Sequence, residues 1–242
     1  MSLPRLLVFD LDGTLIDSSL DLCNSVNAAL AQVGKPTLPN ALIASYIGDG
    51  AAMLVRRALG APGDVDALPS SVPDGDELFR RAYDFFLNYY REHKLDNTRL
   101  YAGVFAALSG IRGRHPDLPM AVLTNKPVNP SREICAALGV APFLFQNYGG
   151  NSFATKKPDP TGLLALMAEA STLAAAKNAA SPVIRADQVV LIGDSDVDVI
   201  TARRCGARSL GCSYGLAPQA LAAAEPDRVV GHASEWATAL GL

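Results

Sequence analysis

Three short apolar runs in this chain each end abruptly in polar residues, and stretches with helical character separate them. Residues 5–9 (RLLVF) stop at Asp10-Leu11-Asp12. Met120–Leu123 stops at Thr124-Asn125-Lys126, and residues 188–192 (QVVLI) stop at Gly193-Asp194-Ser195-Asp196. Continuous apolar runs of this length fit strands buried on both faces. Residues 143–145, Arg208–Cys212 and Arg228–Val230 are weaker strand candidates. Helices are expected at residues 101–114, at 131–138 closed by Gly139, and at 160–180 with Asp159 as N-cap. Another is expected at 197–205, closed by Gly206. Strands alternating with helices predict an α/β fold with a doubly wound parallel sheet. In such sheets ligands bind at the carboxyl ends of the strands, where all three polar stops fall.

The pattern changes between residues 16 and 98, where no convincing strand is visible. Leu22, Val26, Ala29, Leu30 and Val33 form a helical stripe closed by Gly34. Two further helices are expected at 41–46 and 51–59, around the turn Gly48-Asp49-Gly50. Phe79, Tyr83, Phe86 and Tyr90 share one face of another helix, and packing explains that stripe better than a cofactor site. Residues 61–76, rich in Pro, Gly, Asp and Ser, read as a loop. The Ala-rich stretch 173–186 reads as a helix extension followed by a variable loop. The expected division is therefore a core of residues 1–15 and 99–242, with an all-helical module, residues 16–98, inserted after the first strand.

Composition narrows the function classes. Of 242 residues 49% are hydrophobic, enough for a sizeable core, and the formal net charge is −3. That balance argues against a nucleic-acid surface. No apolar run is long enough to span a membrane, and no secretory leader is expected. Cys23, Cys135, Cys205 and Cys212 show no paired spacing and read as buried thiols of a cytoplasmic protein. His93, His115 and His232 are too scattered for a local metal cluster.

The chemistry lies in the polar stops. Asp10 and Asp12, two residues apart on extended backbone, can project the same way. Asp194, Asp196 and Asp198 arrive from the third strand. Carboxylates ~4 Å apart repel by about 4 kcal/mol at an effective dielectric of roughly 20, so several converging ones call for a cation. With oxygen donors alone, that cation is a hard ion, Mg2+ first among them. Thr124, Asn125 and the pair Lys156-Lys157 supply donors suited to phosphoryl oxygens. Cation, donors and a carboxylate nucleophile together make a phosphoryl-transfer site. Asp10 would attack phosphorus, and Asp12 would protonate the leaving oxygen and then activate the hydrolytic water. Gly13 permits the sharp exit from the strand, and Thr14 can hydrogen-bond an aspartate.

These residues resemble the haloacid dehalogenase (HAD) superfamily, whose four motifs appear in order. They are Asp10-Leu11-Asp12-Gly13-Thr14, Leu123-Thr124-Asn125, Lys157-Pro158-Asp159-Pro160 and Gly193-Asp194-Ser195-Asp196-Val197-Asp198. The resemblance implies a Rossmann-like core with a helical cap, Asp10 as nucleophile and Asp12 as general acid/base. It implies Mg2+ held by the Asp10 carboxylate, the Asp12 carbonyl and Asp194. Thr124 and Lys157 would hold the phosphoryl group with Asn125 alongside, and Thr14 and Asp198 would orient the inner groups. True dehalogenases lack the second aspartate of the first motif, so its presence points to phosphorus chemistry.

Residues 46–50 (YIGDG), 54–59 (LVRRAL) and 101–104 (YAGV) are similar to the phosphoglycolate phosphatase branch of that superfamily. The branch usually has proline where Ala102 stands. Arg56 and Arg57 could offer charge to a substrate carboxylate or be ordinary helix arginines. The resemblance implies a cytoplasmic phosphatase, a monomer or homodimer, acting on a small phosphorylated metabolite. 2-Phosphoglycolate is the first expectation; a sugar phosphatase, a pyrophosphatase and a β-phosphoglucomutase-like enzyme are alternatives. A phosphoacceptor signalling module is more distant.

Overall fold

The structure is a computed structural model, and it describes residues 3–60 and 76–242. In chain order the elements are β1 (Leu6–Phe9), β2 (Ile16–Asp17), α1 (Ser19–Gln32), α2 (Asn40–Ala44), α3 (Ala51–Ala58), α4 (Glu77–His93) and β3 (Arg99–Leu100). There follow α5 (Val104–Arg114), β4 (Met120–Leu123), α6 (Val128–Ala137), β5 (Gln146–Tyr148), α7 (Thr161–Lys177) and β6 (Val189–Gly193). The chain closes with α8 (Asp196–Cys205), β7 (Arg208–Cys212), α9 (Pro218–Ala223), β8 (Arg228–Val230) and α10 (Trp236–Leu240). Two compact units emerge, Met1–Ile16 with Leu100–Leu242, and Asp17–Arg99.

The first unit is built on a six-stranded sheet in the order β5-β4-β1-β6-β7-β8. Every pairing is parallel; Val8, for example, faces Ala121 on one side and Leu191 on the other. Alternation along β1 divides the core. Leu7 and Phe9 join Val104, Leu108, Val122, Ile134, Ile192 and Trp236 on one face. Leu6 and Val8 join Leu163, Leu166, Leu191 and Ala202 on the other. Both faces are covered, so α5, α6 and α10 line one side and α7 and α8 the other, and β1 is apolar throughout. β1 lies between β4 and β6, where the chain changes its direction of travel across the sheet. That is the switch point at which such sheets bind ligands.

Several boundaries differ from expectation. The strand expected at 143–145 forms instead at Gln146–Tyr148, after a 3-10 turn at Ala141–Phe143. β5 is an edge strand whose Asn147 accepts a hydrogen bond from Ser131, so polar residues serve there and the apolar signal misleads. α6 starts at Val128, ahead of position 131, because Pro130 sits in the first turn, where its missing N–H costs nothing. α7 starts at Thr161 with Pro160 at the cap position, and Asp159 Oδ1 accepts the Thr161 N–H from one residue earlier. The helix ends at Lys177 and the Ala-rich stretch continues as irregular chain.

The second unit contains α1 to α4. Leu22, Val26, Ala29 and Leu30 of α1 pack with Phe79, Ala82, Phe86 and Tyr90 of α4, which accounts for the aromatic stripe. Four-residue spacing stacks Phe79 on Tyr83 and Phe86 on Tyr90, with centroids 5.4 and 5.7 Å apart. The loop expected at 61–76 lies outside the described residues except for Asp76, which caps α4 by accepting the Phe79 N–H. Asp21 of α1 accepts hydrogen bonds from Asn97 and Thr98, both backbone and side chain. The two-residue strands β2 and β3 pair with each other and are too short to leave a periodic signal. Among the described residues no helix is long and apolar enough to cross a membrane.

Candidate active site

β1 delivers Asp10 at the switch point. The strand ends at Phe9, and Asp10 continues the ladder by donating its N–H to the Ile192 carbonyl at 2.8 Å. A tight turn follows, in which the Leu11 carbonyl accepts N–H bonds from Thr14, Leu15 and Ile16. Gly13 holds φ at +87°, and a Cβ there would lie 2.1 Å from Asp194 Oδ2. Only glycine lets the turn come this close to the third strand's aspartate. Asp12 therefore sits in the turn and not on extended backbone, and the two aspartates take different partners.

β6 delivers Asp194, which is almost wholly buried. Its Oδ1 accepts from Thr14 Oγ1 at 3.2 Å and its Oδ2 from the Leu216 N–H at 2.7 Å. On the far side Gly215 presses against it, since a Cβ there would be 2.3 Å from Asp194 Cβ. The carboxylate is thus cradled between two loops, and each oxygen keeps a lone pair. Asp198, in the first turn of α8, accepts from the Ser195 N–H and hydroxyl through Oδ2. Its Oδ1 lies 2.6 Å from Lys157 Nζ.

Lys157 lies in the loop between β5 and α7. Its ammonium is buried between Asp198 and Asp10, 2.9 Å from Asp10 Oδ1. Burial acts to lower its pKa, but the two carboxylates outweigh this and hold it above the usual lysine range. Asp10 Oδ1 is buried with no donor aligned on it in hydrogen-bonding geometry. Burial pushes the Asp10 pKa up to about 6; Lys157 counters this, and the Asp198 and Asp12 charges add to it. Asp194 is raised well above the carboxylate range, first by burial and then by Asp10 and Asp198.

Asp10, Asp194 and Asp198 each offer an oxygen, and these atoms lie within 4.8 Å of one another. Three clustered carboxylates, two of them on one lysine and one with an unaligned oxygen, fit a hard oxygen-liganded cation. The fit favours Asp10, whose Oδ1 has no aligned donor, and Asp194, whose oxygens accept one hydrogen bond each, while Asp198 takes two Ser195 donors on Oδ2 and the Lys157 ammonium on Oδ1. Asp196, which opens α8, is not one of the three.

β4 delivers the opposing donors. Thr124 is buried, and its Oγ1 accepts the Lys126 N–H at 3.2 Å. Asn125 Nδ2 donates to the Lys157 carbonyl at 3.0 Å, which ties the two loops together. Sequence reasoning passed over Lys126. Its Nζ contacts both oxygens of Asp12, at 2.9 and 3.1 Å. The signal was its position directly after Thr124-Asn125, but a lysine in a loop ordinarily points to water, and its partner is 114 residues away.

A family model described as haloacid dehalogenase-like hydrolase matches residues 7–212. A phosphoglycolate phosphatase of Neisseria gonorrhoeae is 33% identical over 227 residues, covering 92% of this chain and 87% of that protein. One from Rhodospirillum rubrum is 32% identical, covering 91% and 84%. A crystal structure of a predicted phosphoglycolate phosphatase from Haemophilus somnus superposes with a TM-score of 0.81 at 27% identity, covering 99% of each chain. With its four motifs gathered at one sheet edge and a family model spanning most of its length, the chain belongs to the haloacid dehalogenase-like hydrolases.

Proposed function

We propose that this chain is a Mg2+-dependent phosphatase that hydrolyses a small phosphorylated metabolite, 2-phosphoglycolate, through an aspartyl-phosphate intermediate. The observation that carries the reading is the cluster of Asp10, Asp194 and Asp198 at the sheet's switch point, with Lys157 held between Asp10 and Asp198. The substrate follows from what the relatives are named. Asp10 is the nucleophile, and Asp12 gives a proton to the leaving alcohol oxygen, then takes one from the attacking water. Asp10, the Asp12 carbonyl and Asp194 would hold Mg2+. When bound, that ion offsets the converging negative charge and polarises a phosphoryl oxygen.

Lys157 supplies positive charge to the phosphoryl oxygens. The Thr124 hydroxyl accepts the Lys126 N–H, so its own proton can go to a phosphoryl oxygen. Asn125 and Asp198 fix the position of Lys157, and Thr14 fixes that of Asp194. We assign the helical unit, residues 17–99, as the cap, and place the protein in the cytoplasm, where its four free cysteines would stay reduced.

The test is phosphate release with Mg2+ from 2-phosphoglycolate, hexose phosphates, a nucleoside monophosphate and pyrophosphate. 2-Phosphoglycolate is expected to show the highest kcat/KM. Asp10→Asn is expected to lower kcat by roughly 10^3-fold or more without unfolding the protein. EDTA should abolish turnover and added Mg2+ restore it. An active Asp10→Asn variant overturns the mechanism; a hexose phosphate or pyrophosphate preference overturns the substrate.

A further inference from the structure

The relatives' names leave open which residue would recognise the part of the substrate that is not phosphate. Lys126 is a buried cation that the phosphoryl-transfer roles above do not use. Its side chain is 4% exposed, beside an Asp12 side chain that is 14% exposed. Its backbone is fixed on both sides. Its N–H donates to Thr124 Oγ1, and its carbonyl accepts the Gly150 N–H at 2.9 Å. A Cβ on Gly149 would lie 2.5 Å from that carbonyl, so the neighbouring loop is packed against it. A lysine seated this way is aimed, since a solvated one needs none of these supports.

What it is aimed beside is the acid/base group. The leaving oxygen must come within a hydrogen bond of Asp12, and Lys126 Nζ is one hydrogen bond from that carboxylate. In 2-phosphoglycolate one methylene separates the ester oxygen from the carboxylate carbon. A carboxylate oxygen therefore lies about one hydrogen-bond length, ~3 Å, from the atom that Asp12 protonates. An ammonium has three donors on a flexible stem and can serve Asp12 and a second carboxylate together.

Lys157, Arg56 and Arg57 are engaged elsewhere. Lys157 is held between Asp10 and Asp198. In the helical unit Arg57 pairs with Asp49 at 2.5 Å and reaches the Tyr46 carbonyl, while Arg56 lies over the Phe79 ring, 4.0 Å from its centroid. Those arginines are held by helix packing inside their own unit.

We propose that Lys126 is a specificity-determining residue that binds the carboxylate of the substrate, next to the leaving oxygen on Asp12. The inference rests on the 2-phosphoglycolate reading above. It places discrimination for a 2-carboxylate in the core unit's second motif loop.

The experiment compares 2-phosphoglycolate with ethyl phosphate, the same skeleton with a methyl group in place of the carboxylate. Both are measured with wild type, Lys126→Met, Lys126→Gln and Lys126→Arg, with folding checked by thermal melts. The neutral variants are expected to lose about 30- to 100-fold more kcat/KM on 2-phosphoglycolate than on ethyl phosphate, mostly through KM. Arg, which keeps the charge, should restore part of the difference. Lys126→Gln decides the matter if Lys126→Met does not fold. Equal losses on both substrates, carried by kcat, would overturn the proposal and make Lys126 a positioning residue for Asp12. A wild type with no preference for 2-phosphoglycolate would instead overturn the substrate reading, and the proposal with it.

Discussion

Asp194 shows how much of this site depends on residues that carry no chemistry. It is held by Thr14 Oγ1 and the Leu216 N–H, and hemmed in by the missing side chains of Gly13 and Gly215. Gly13→Ala would place a methyl group 2.1 Å from Asp194 Oδ2, in a backbone conformation at φ +87° that costs an L-residue about 1–2 kcal/mol. The carboxylate cannot yield without breaking its two hydrogen bonds. The expected outcome is a Mg2+ half-saturation raised by ~10-fold or more and a lowered Tm, with partial recovery of turnover at high Mg2+. Turnover titrated against Mg2+ checks it. An unchanged Mg2+ requirement would mean that Asp194 does not hold the ion.

At the scale of elements, Asp21 does for the helical unit what the sheet does for the core. It collects hydrogen bonds from Asn97 N, Asn97 Nδ2, Thr98 N and Thr98 Oγ1, joining the start of α1 to the segment after α4. Burial alone would raise its pKa, but these donors outweigh it and hold the carboxyl below the usual range. A depressed carboxylate stabilises the fold above its unfolded pKa of ~3.9, and that stability is lost as pH falls through the lower folded value. Asp21→Ala strands buried donors and is expected to cost about 2–4 kcal/mol, read by denaturant unfolding at neutral pH. The difference from wild type should shrink as pH falls below the unfolded pKa of ~3.9 and through the lower folded value. A constant difference across that range would show that packing and not charge carries the effect.

The same scale explains what could be read in advance. β1, β4 and β6 announce themselves because a strand buried on both faces must be apolar throughout, and the polar stop marks its functional end. Four motifs separated by up to 180 residues converge because parallel strands all present their carboxyl ends on one edge. β5 was misplaced because an edge strand can be built of Gln146, Asn147 and Tyr148. Lys126 was missed for a related reason: a charged side chain beside a motif reveals its burial only once its distant partner is known.

At the scale of the whole molecule, the core unit accepts an electrostatic cost at its switch point that a bound cation would relieve. In the metal-free protein the folded-state pKa of Asp10 lies at about 6, and that of Asp194 is also raised. A carboxylate raised on folding contributes stability below its unfolded pKa of ~3.9, and this is lost as pH rises through the folded value. Metal-free protein should therefore lose stability from Asp10 between about pH 4 and pH 6, and the raised Asp194 adds a loss of the same sign. A bound Mg2+ would reverse the sign, because it would favour the ionised carboxylates and compete with protons for them. At neutral pH a Mg2+ concentration ~100 times its Kd should add about 2.7 kcal/mol. That corresponds to roughly 5–10 °C in Tm for a unit of this size. At pH 5, where Asp10 holds its proton, the shift should largely vanish, and Asp194→Asn should remove it at both pH values. Thermal melts with and without Mg2+ at pH 5 and pH 7.5 decide the point. An equal shift at both pH values, or one that survives Asp194→Asn, would put the ion somewhere other than among these aspartates.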